Sequence, residues 1–264
     1  VRRLRTAFQV LVVAAVAVTG VRHALGWSMT TIEKYCPFGG LETAYALVTR
    51  QKFTCAAGEL NLALFLALIL LTLLARKAFC GWVCPLGAVL EWWGRLGRRW
   101  LRFSSFDGWW RPSDRTRKVL QTVLRSVVLA AVLAATWATG ELVFRGYDPY
   151  YILFSAHGHD VMFWSYFILG GLLALGLAMP MAWCKYLCPL GAALWPASKP
   201  GLLRLRRSPD HCTECGACDD ACPQSLPVSS VMEVRSGECT LCFECTAACP
   251  VAGALELRAP GGKP

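Results

Sequence analysis

Charge is scarce in this sequence. Asp, Glu, Lys and Arg make up 17% of its 264 residues, where ordinary soluble domains carry about 25%. With 55% hydrophobic residues and a mean hydropathy of +0.43, that shortage excludes a soluble enzyme. No stretch of low hydrophobicity and high charge is long enough for intrinsic disorder. Histidine is scarce as well: His23, His157, His159 and His211 are the whole set, and only His23 falls in an apolar run. Facing histidines for a membrane haem are therefore absent, and there is no Cys-x-x-Cys-His attachment site for a covalent one. No Walker A motif, nucleophile elbow or Rossmann fingerprint is present, which excludes P-loop, α/β-hydrolase and dinucleotide-binding chemistry.

Long apolar runs and cysteine are abundant. Runs long enough to cross a bilayer lie at about Phe8–Trp27, Leu60–Ala75, Val119–Thr139 and Val161–Trp183; a core of about 30 Å takes about 20 helical residues. The second is the shortest, and its Glu59 and Asn61 are expected at the interface. Gly170, Gly171 and Gly176 in the fourth are expected at close helix contacts. Arg2, Arg3 and Arg5 resemble the start of a signal peptide, but no clean cleavage site follows, so the first run is read as a retained helix.

Charge sets the orientation. Residues 1–7 hold three Lys/Arg, 76–118 hold ten and 184–264 hold eight, while 28–58 and 141–160 hold three and one. The positive-inside rule places both chain ends and the 76–118 segment in the cytoplasm. The net charge of +10 thus follows the alternation of spans and marks no nucleic-acid surface. Over 86–103, Leu86, Val89, Leu90, Trp93, Trp100 and Leu101 share one face, and Glu91, Arg95, Arg98, Arg99 and Arg102 the other. This pattern predicts a helix on the inner membrane surface, held by membrane lipid.

The apolar part is duplicated. Cys80-Gly-Trp-Val-Cys84-Pro85-Leu86-Gly87-Ala88 returns 104 residues later as Cys184-Lys-Tyr-Leu-Cys188-Pro189-Leu190-Gly191-Ala192. Upstream, Tyr35-Cys36-Pro37-Phe38 is echoed by Tyr147-Asp148-Pro149-Tyr150. Each unit reads as a span, an outer loop, a second span and a Cys-x3-Cys-Pro element, in the same orientation.

The fourteen cysteines carry the function. Cys212, Cys215, Cys218 and Cys222 follow Cys-x2-Cys-x2-Cys-x3-Cys-Pro, and Cys239, Cys242, Cys245 and Cys249 repeat it. This is the bacterial two-cluster ferredoxin run, whose fourth cysteine serves the other cluster. Cys212, Cys215, Cys218 and Cys249 are expected to hold one [4Fe–4S] centre, and Cys239, Cys242, Cys245 and Cys222 the second. Structural zinc suits two identical four-cysteine runs poorly, and disulfides do not suit the cytoplasm. Cys80, Cys84, Cys184 and Cys188 admit three readings: a shared metal or cluster, dithiols activated by nearby Arg76, Lys77 and Lys185, or inert packing. Cys36 and Cys55, in the first outer loop, are candidates for a disulfide. His157 and His159 read as loop residues.

Paired spans with Cys-x3-Cys-Pro motifs, followed by two ferredoxin runs, resemble the NapH-type membrane ferredoxins and the membrane part of NosR-type proteins. The resemblance covers about residues 8–258. It implies a quinol dehydrogenase component that passes electrons toward periplasmic reductases. The extra C-terminal domain of copper-reducing members and the outer flavin domain of NosR-type proteins have no counterpart in this sequence.

The expected fold is an all-α membrane domain of four transmembrane helices as a parallel two-fold repeat, plus a small α+β two-cluster ferredoxin domain. The boundaries are 1–104, 105–204, 205–258 and a tail, 259–264. The expected function is an iron–sulfur electron relay in the bacterial inner membrane, between quinone or quinol and a polyferredoxin, cytochrome or reductase partner subunit. Glu42, Glu59 and Glu141 are candidate proton acceptors near the quinone. The alternatives are a reductase of metal or disulfide acting through the Cys-x3-Cys pairs, and a structural anchor. One difficulty accompanies the relay: periplasmic acceptors lie across about 30 Å of hydrocarbon from cytoplasmic clusters.

Overall fold

A computed structural model describes residues 1–27, 37–50, 58–100, 114–139, 147–155 and 163–259. Cys36, Cys55, Glu141, His157 and His159 lie outside the described residues, and so does the Glu42 side chain. Among the described residues, two helices are long and apolar enough to cross a membrane: α1 (Arg2–Ala24) and most of α6 (Asp114–Thr139). Neither contains proline or glycine in its first four turns, so nothing interrupts the hydrogen-bond ladder. Two further apolar helices are shorter, α3 (Gly58–Ala75) and α8 (Phe163–Ala178).

The sequence repeat is a repeat of elements. After α3 the chain passes through Arg76 at φ 53°, enters the short α4 (Ala78–Trp82), and restarts at Pro85 as α5 (Pro85–Trp100). After α8 it passes through Met181 at φ 56°, enters α9 (Ala182–Tyr186), and restarts at Pro189 as α10 (Pro189–Ser198). A left-handed residue reverses the chain at each junction. The proline then opens the next helix where its missing N–H costs nothing, and Cys188 before it is extended, as a residue preceding proline must be.

Several expectations are corrected here. The fourth apolar run is not one helix through Trp183, because Pro180 and Met181 break it. The segments read as outer loops contain helices, α2 (Pro37–Arg50) and α7 (Pro149–Phe154). Phe38 of α2 is buried in one cluster with Leu86, Leu90, Leu172 and Trp183, so α2 reaches the Cys-x3-Cys-Pro level. Asn61 is buried against Gly39 of α2, where a Cβ would lie 3.1 Å from its Nδ2. Gly170 and Gly171 touch no neighbouring element, whereas Gly176 meets Trp93. Helix α5 does not lie free on a surface. Its Gly94 and Gly97 fit against Pro180 and Leu177 so closely that added Cβ atoms would fall within 3 Å of them, and Glu91 on its polar face is buried.

The C-terminal lobe is small and mixed. Strands β1 (Arg204–Arg207), β2 (Glu233–Val234) and β3 (Leu255–Arg258) form an antiparallel sheet in the order β2-β1-β3, with Leu205 opposite Val234 and Leu257. Helices α11 (Ala217–Ala221) and α12 (Glu244–Ala248) complete it. Its core of Leu205, Leu226, Val228, Val234, Leu241 and Leu255 continues onto Ala75 and Ala78 of the helical part. The N–H groups of Leu202 and Leu203 donate to the carbonyls of Leu73 and Leu74 at 3.3 and 3.0 Å. They satisfy acceptors that the end of α3 would otherwise leave open.

Candidate iron–sulfur and membrane site

Each ferredoxin run bends through two left-handed residues in equivalent places. Glu214 (φ 53°) and Gly216 (φ 73°) flank Cys215, and Leu241 (φ 46°) and Phe243 (φ 58°) flank Cys242. These turns curl each run around a void, and α11 or α12 then carries the chain to its fourth cysteine. One void is lined by Cys239, Cys242, Cys245 and, from the other run, Cys222. The second is lined by Cys212, Cys215, Cys218 and Cys249. The described cysteines are all free thiols. Among the described residues no three His, Cys, Asp or Glu side chains converge tightly enough for a single metal ion. Four cysteines around each small void fit an iron–sulfur cluster.

The two cradles differ in exposure. Cys239, Cys242 and Cys245 are buried, while Cys215 is exposed. Burial pushes the Cys239 and Cys245 thiols up to about 12, so iron must displace the protons on binding. In the outer cradle the Arg207 guanidinium beside Cys212 holds that thiol below its ordinary value. Arg207 donates from Nε to the Val231 carbonyl at 3.3 Å, while its buried Nη1 has no hydrogen-bond partner.

The inner cradle rests on the Cys-x3-Cys elements. Lys77 N–H donates to the Cys239 carbonyl at 3.3 Å, and Trp82 Nε1 to the Leu241 carbonyl at 2.9 Å. An added Cβ on Gly81 would lie 2.8 Å from the Thr240 carbonyl oxygen, so glycine is needed there. From the second repeat, Lys185 Nζ donates to Ser225 Oγ at 3.0 Å. Buried ion pairs fasten the same interface. Glu238, next to Cys239, accepts from Lys77 at 2.8 Å and from both Nη atoms of Arg125 at 2.7 Å. Arg5 bonds Glu91 on α5 and, at 2.9 Å, Glu244 beside Cys245. Arg76 donates to the Leu203 and Ser236 carbonyls at 3.0 and 2.9 Å.

These contacts bear on the cations expected beside Cys80, Cys84, Cys184 and Cys188. Arg76, Lys77 and Lys185 are engaged with carbonyls, Glu238 and Ser225. Burial dominates, and it raises all four thiols, Cys80 to about 12. Cys188, Cys84 and Cys80 lie near enough to Cys184 to raise its value further.

Above them lies a cavity of about 490 Å³. Both Cys-Pro-Leu elements line it, Cys84-Pro85-Leu86 and Cys188-Pro189-Leu190, together with Phe38 of α2 and Tyr150 of α7. Val12 and Val16 of α1 and Leu64, Leu68 and Leu71 of α3 form its far wall. Asp148 also lines it, 8% exposed, its Oδ1 accepting from the Tyr150 N–H at 3.0 Å. Of the carboxylates proposed from sequence, Glu59 is exposed and does not line this cavity. Asp148 was missed because it was read only as the residue replacing Cys36 in the second repeat. The signal was an aspartate in front of Pro-Tyr, a helix N-cap within an otherwise apolar segment.

Comparison with known proteins agrees with this geometry. The profile of the 4Fe–4S binding domain matches residues 58–104 and again 161–208, and that of the 4Fe–4S dicluster domain matches 204–256. A protein of Escherichia coli strain K12, YccM, named provisionally for electron transport, is 32% identical over 229 residues, 85% of this chain and 62% of its own length. An uncharacterized protein of Methanocaldococcus jannaschii is 31% identical over 188 residues, 71% of this chain and 74% of its own. The ferredoxin-type protein NapH of Escherichia coli strain K12 is 25% identical over 189 residues, 66% and 59% of the two lengths. The chain thus spans less than two thirds of YccM and of NapH. No solved structure matches it.

Proposed function

The chain belongs to the NapH-like family of ferredoxin-type proteins, and from that premise we propose that it is a membrane-bound electron carrier linking the quinone pool to a partner redox protein. The observation that carries this reading is the order of the sulfur sites. Cys84 and Cys188 line the cavity, the Cys80–Cys84 element packs on Thr240 and Leu241 of the inner cradle, and the outer cradle opens at exposed Cys215. Cys239, Cys242, Cys245 and Cys222 hold the inner cluster, and Cys212, Cys215, Cys218 and Cys249 the outer. Iron–sulfur clusters bound there supply one-electron carriers. The cavity reaches Val12 and Val16, in the middle of α1, so a quinone there meets the sulfur sites without a further carrier across the hydrocarbon. An acceptor docking at Cys215 stands on the cytoplasmic side.

Four helices span the inner membrane in this reading, with both chain ends cytoplasmic. The exposed faces support it. Val10, Leu11 and Val18 of α1, Leu66 and Leu70 of α3, Val123 and Val127 of α6, and Trp164 and Phe167 of α8 are all outward and apolar, a belt that water does not tolerate. The Cys-x3-Cys-Pro cysteines are a further redox or metal site, consistent with the 4Fe–4S profile that covers each pair. A dithiol reductase acting through these four part-buried cysteines is the alternative reading.

The test is spectroscopic. The protein, purified anaerobically and mildly oxidised, is mixed with a menaquinol analogue and its clusters are followed by EPR. Reduction at a rate compatible with turnover supports the relay. Clusters that stay oxidised with quinol, yet reduce with a low-potential donor, overturn quinol as the direct source.

A further inference from the structure

We propose that the cavity between the two repeats binds the ring of a quinone or quinol, with the Asp148 carboxyl group hydrogen-bonded to one ring oxygen. The inference rests on the quinone-linked reading above and adds where the ligand sits and what holds it.

Size and lining come first. The cavity's 490 Å³ lies within the range of about 300–1,000 Å³ usual for small-molecule sites. Its walls are apolar and partly aromatic: Phe38 and Phe79 come from the first repeat, Tyr150 and Trp183 from the second. Phe38 and Tyr150 follow Pro37 and Pro149, the equivalent positions of the repeat, and so face one cavity from two sides. A flat ring suits that slot.

The polar contact comes second. A carboxyl group in an apolar cavity is costly unless it is paired, and one of its partners is the Tyr150 N–H. As a carboxylate, Asp148 accepts from a quinol hydroxyl; as a carboxylic acid, it donates to a quinone carbonyl. A phospholipid acyl chain would fill the same volume but offers nothing for the carboxyl group to bond, so the lining favours a ring with oxygens. Access is from the lipid side. The far wall is α1 and α3, whose neighbouring Leu11, Leu66 and Leu70 face outward. Cys84 and Cys188 stand on the inner wall, beside the element that touches the inner cradle.

The experiment measures binding rather than turnover. The probe is 2-heptyl-4-hydroxyquinoline N-oxide, a quinol analogue whose fluorescence is quenched on binding, titrated into the cluster-loaded protein in detergent. Ala67→Trp fills the cavity from α3, and Val16→Trp fills it from α1, should the first variant fail to fold. Leu70→Trp, on the outward face of the same α3, is the control. Each variant is checked by EPR for intact clusters. Filling the cavity is expected to weaken binding by at least about tenfold and Asp148→Asn by about tenfold, in line with the loss of one hydrogen bond to a charged group, while Leu70→Trp leaves it unchanged. Unaltered affinity in Ala67→Trp and Val16→Trp, with clusters intact and reducible by menaquinol, overturns the site but not the quinone-linked reading. Unaltered affinity in Asp148→Asn alone overturns the role of the carboxyl group. A wild-type protein that neither binds the probe nor responds to menaquinol overturns both.

Discussion

The indole Nε1 of Trp82 donates to the backbone carbonyl of Leu241 at 2.9 Å. One partner lies between Cys80 and Cys84, the other between Cys239 and Cys242, so this bond joins the helical repeat to the inner cradle. The Trp82 ring also meets Phe243 edge-on, with centroids 6.3 Å apart. Trp82→Phe keeps most of the ring contact but strands a buried carbonyl, at a cost of about 1–3 kcal/mol. Faster thermal bleaching of the clusters' visible absorption is expected, and faster still in Trp82→Ala.

Arg5 and Glu91 are each 1% exposed. Removing one member of a buried pair costs about 3–5 kcal/mol. Glu91→Gln is expected at the low end of that range, because Glu244 still faces Arg5. Replacing both Arg5 and Glu91 by Met should destabilise less than Glu91→Gln alone, since Glu244 and Arg95 keep each other as partners at 2.6 Å. Thermal unfolding in detergent checks the order of the two variants.

Arg207 places positive charge beside the outer cradle, next to Cys212 and ion-paired with Glu214 at 3.9 Å. Arg207→Gln is expected to lower the reduction potential of the outer cluster by several tens of millivolts, about 59 mV being a tenfold change for one electron. The inner cluster should be unchanged, and Arg207→Lys should fall between. An EPR redox titration reads both centres at once.

Glu238 gives a pH dependence with a definite sign. Burial would raise its carboxyl, but the bonds and charges of Arg125 and Lys77 outweigh it and hold the group below its ordinary value of 4.5. A depressed carboxyl contributes stability that is present above the unfolded value and lost as pH falls through the folded one. Docking of the ferredoxin lobe should therefore weaken as pH drops below about 4.5. In Glu238→Gln that acid-dependent loss is expected to be flatter. Comparing the two proteins' melting curves between neutral and acidic pH cancels the acid lability that both sets of clusters share.

Cys222 belongs to the first run in sequence but lines the cavity of the second. Cys222→Ser is expected to perturb the EPR signal of the cluster on Cys239, Cys242 and Cys245 and to spare the other. Cys249→Ser should do the reverse.

What the sequence determined was local. Run spacing singled out the eight ferredoxin cysteines, the 104-residue offset showed the duplication, and the scarcity of charge marked an apolar protein. These are properties of neighbours along the chain. The tertiary structure decided what depends on residues far apart. Glu91 looked like a solvated residue on a polar helix face, and became a buried ion pair only because Arg5, 86 residues away, folds against it. Lys77 and Lys185 looked free to activate thiols, but Glu238 and Ser225 claim them. Asp148 looked like a loop residue until α2 and α7 turned inward. A side chain's periodicity reports which face it takes, whereas its partner, and hence whether a charge is buried or a thiol ionised, is fixed only when distant elements close on one another.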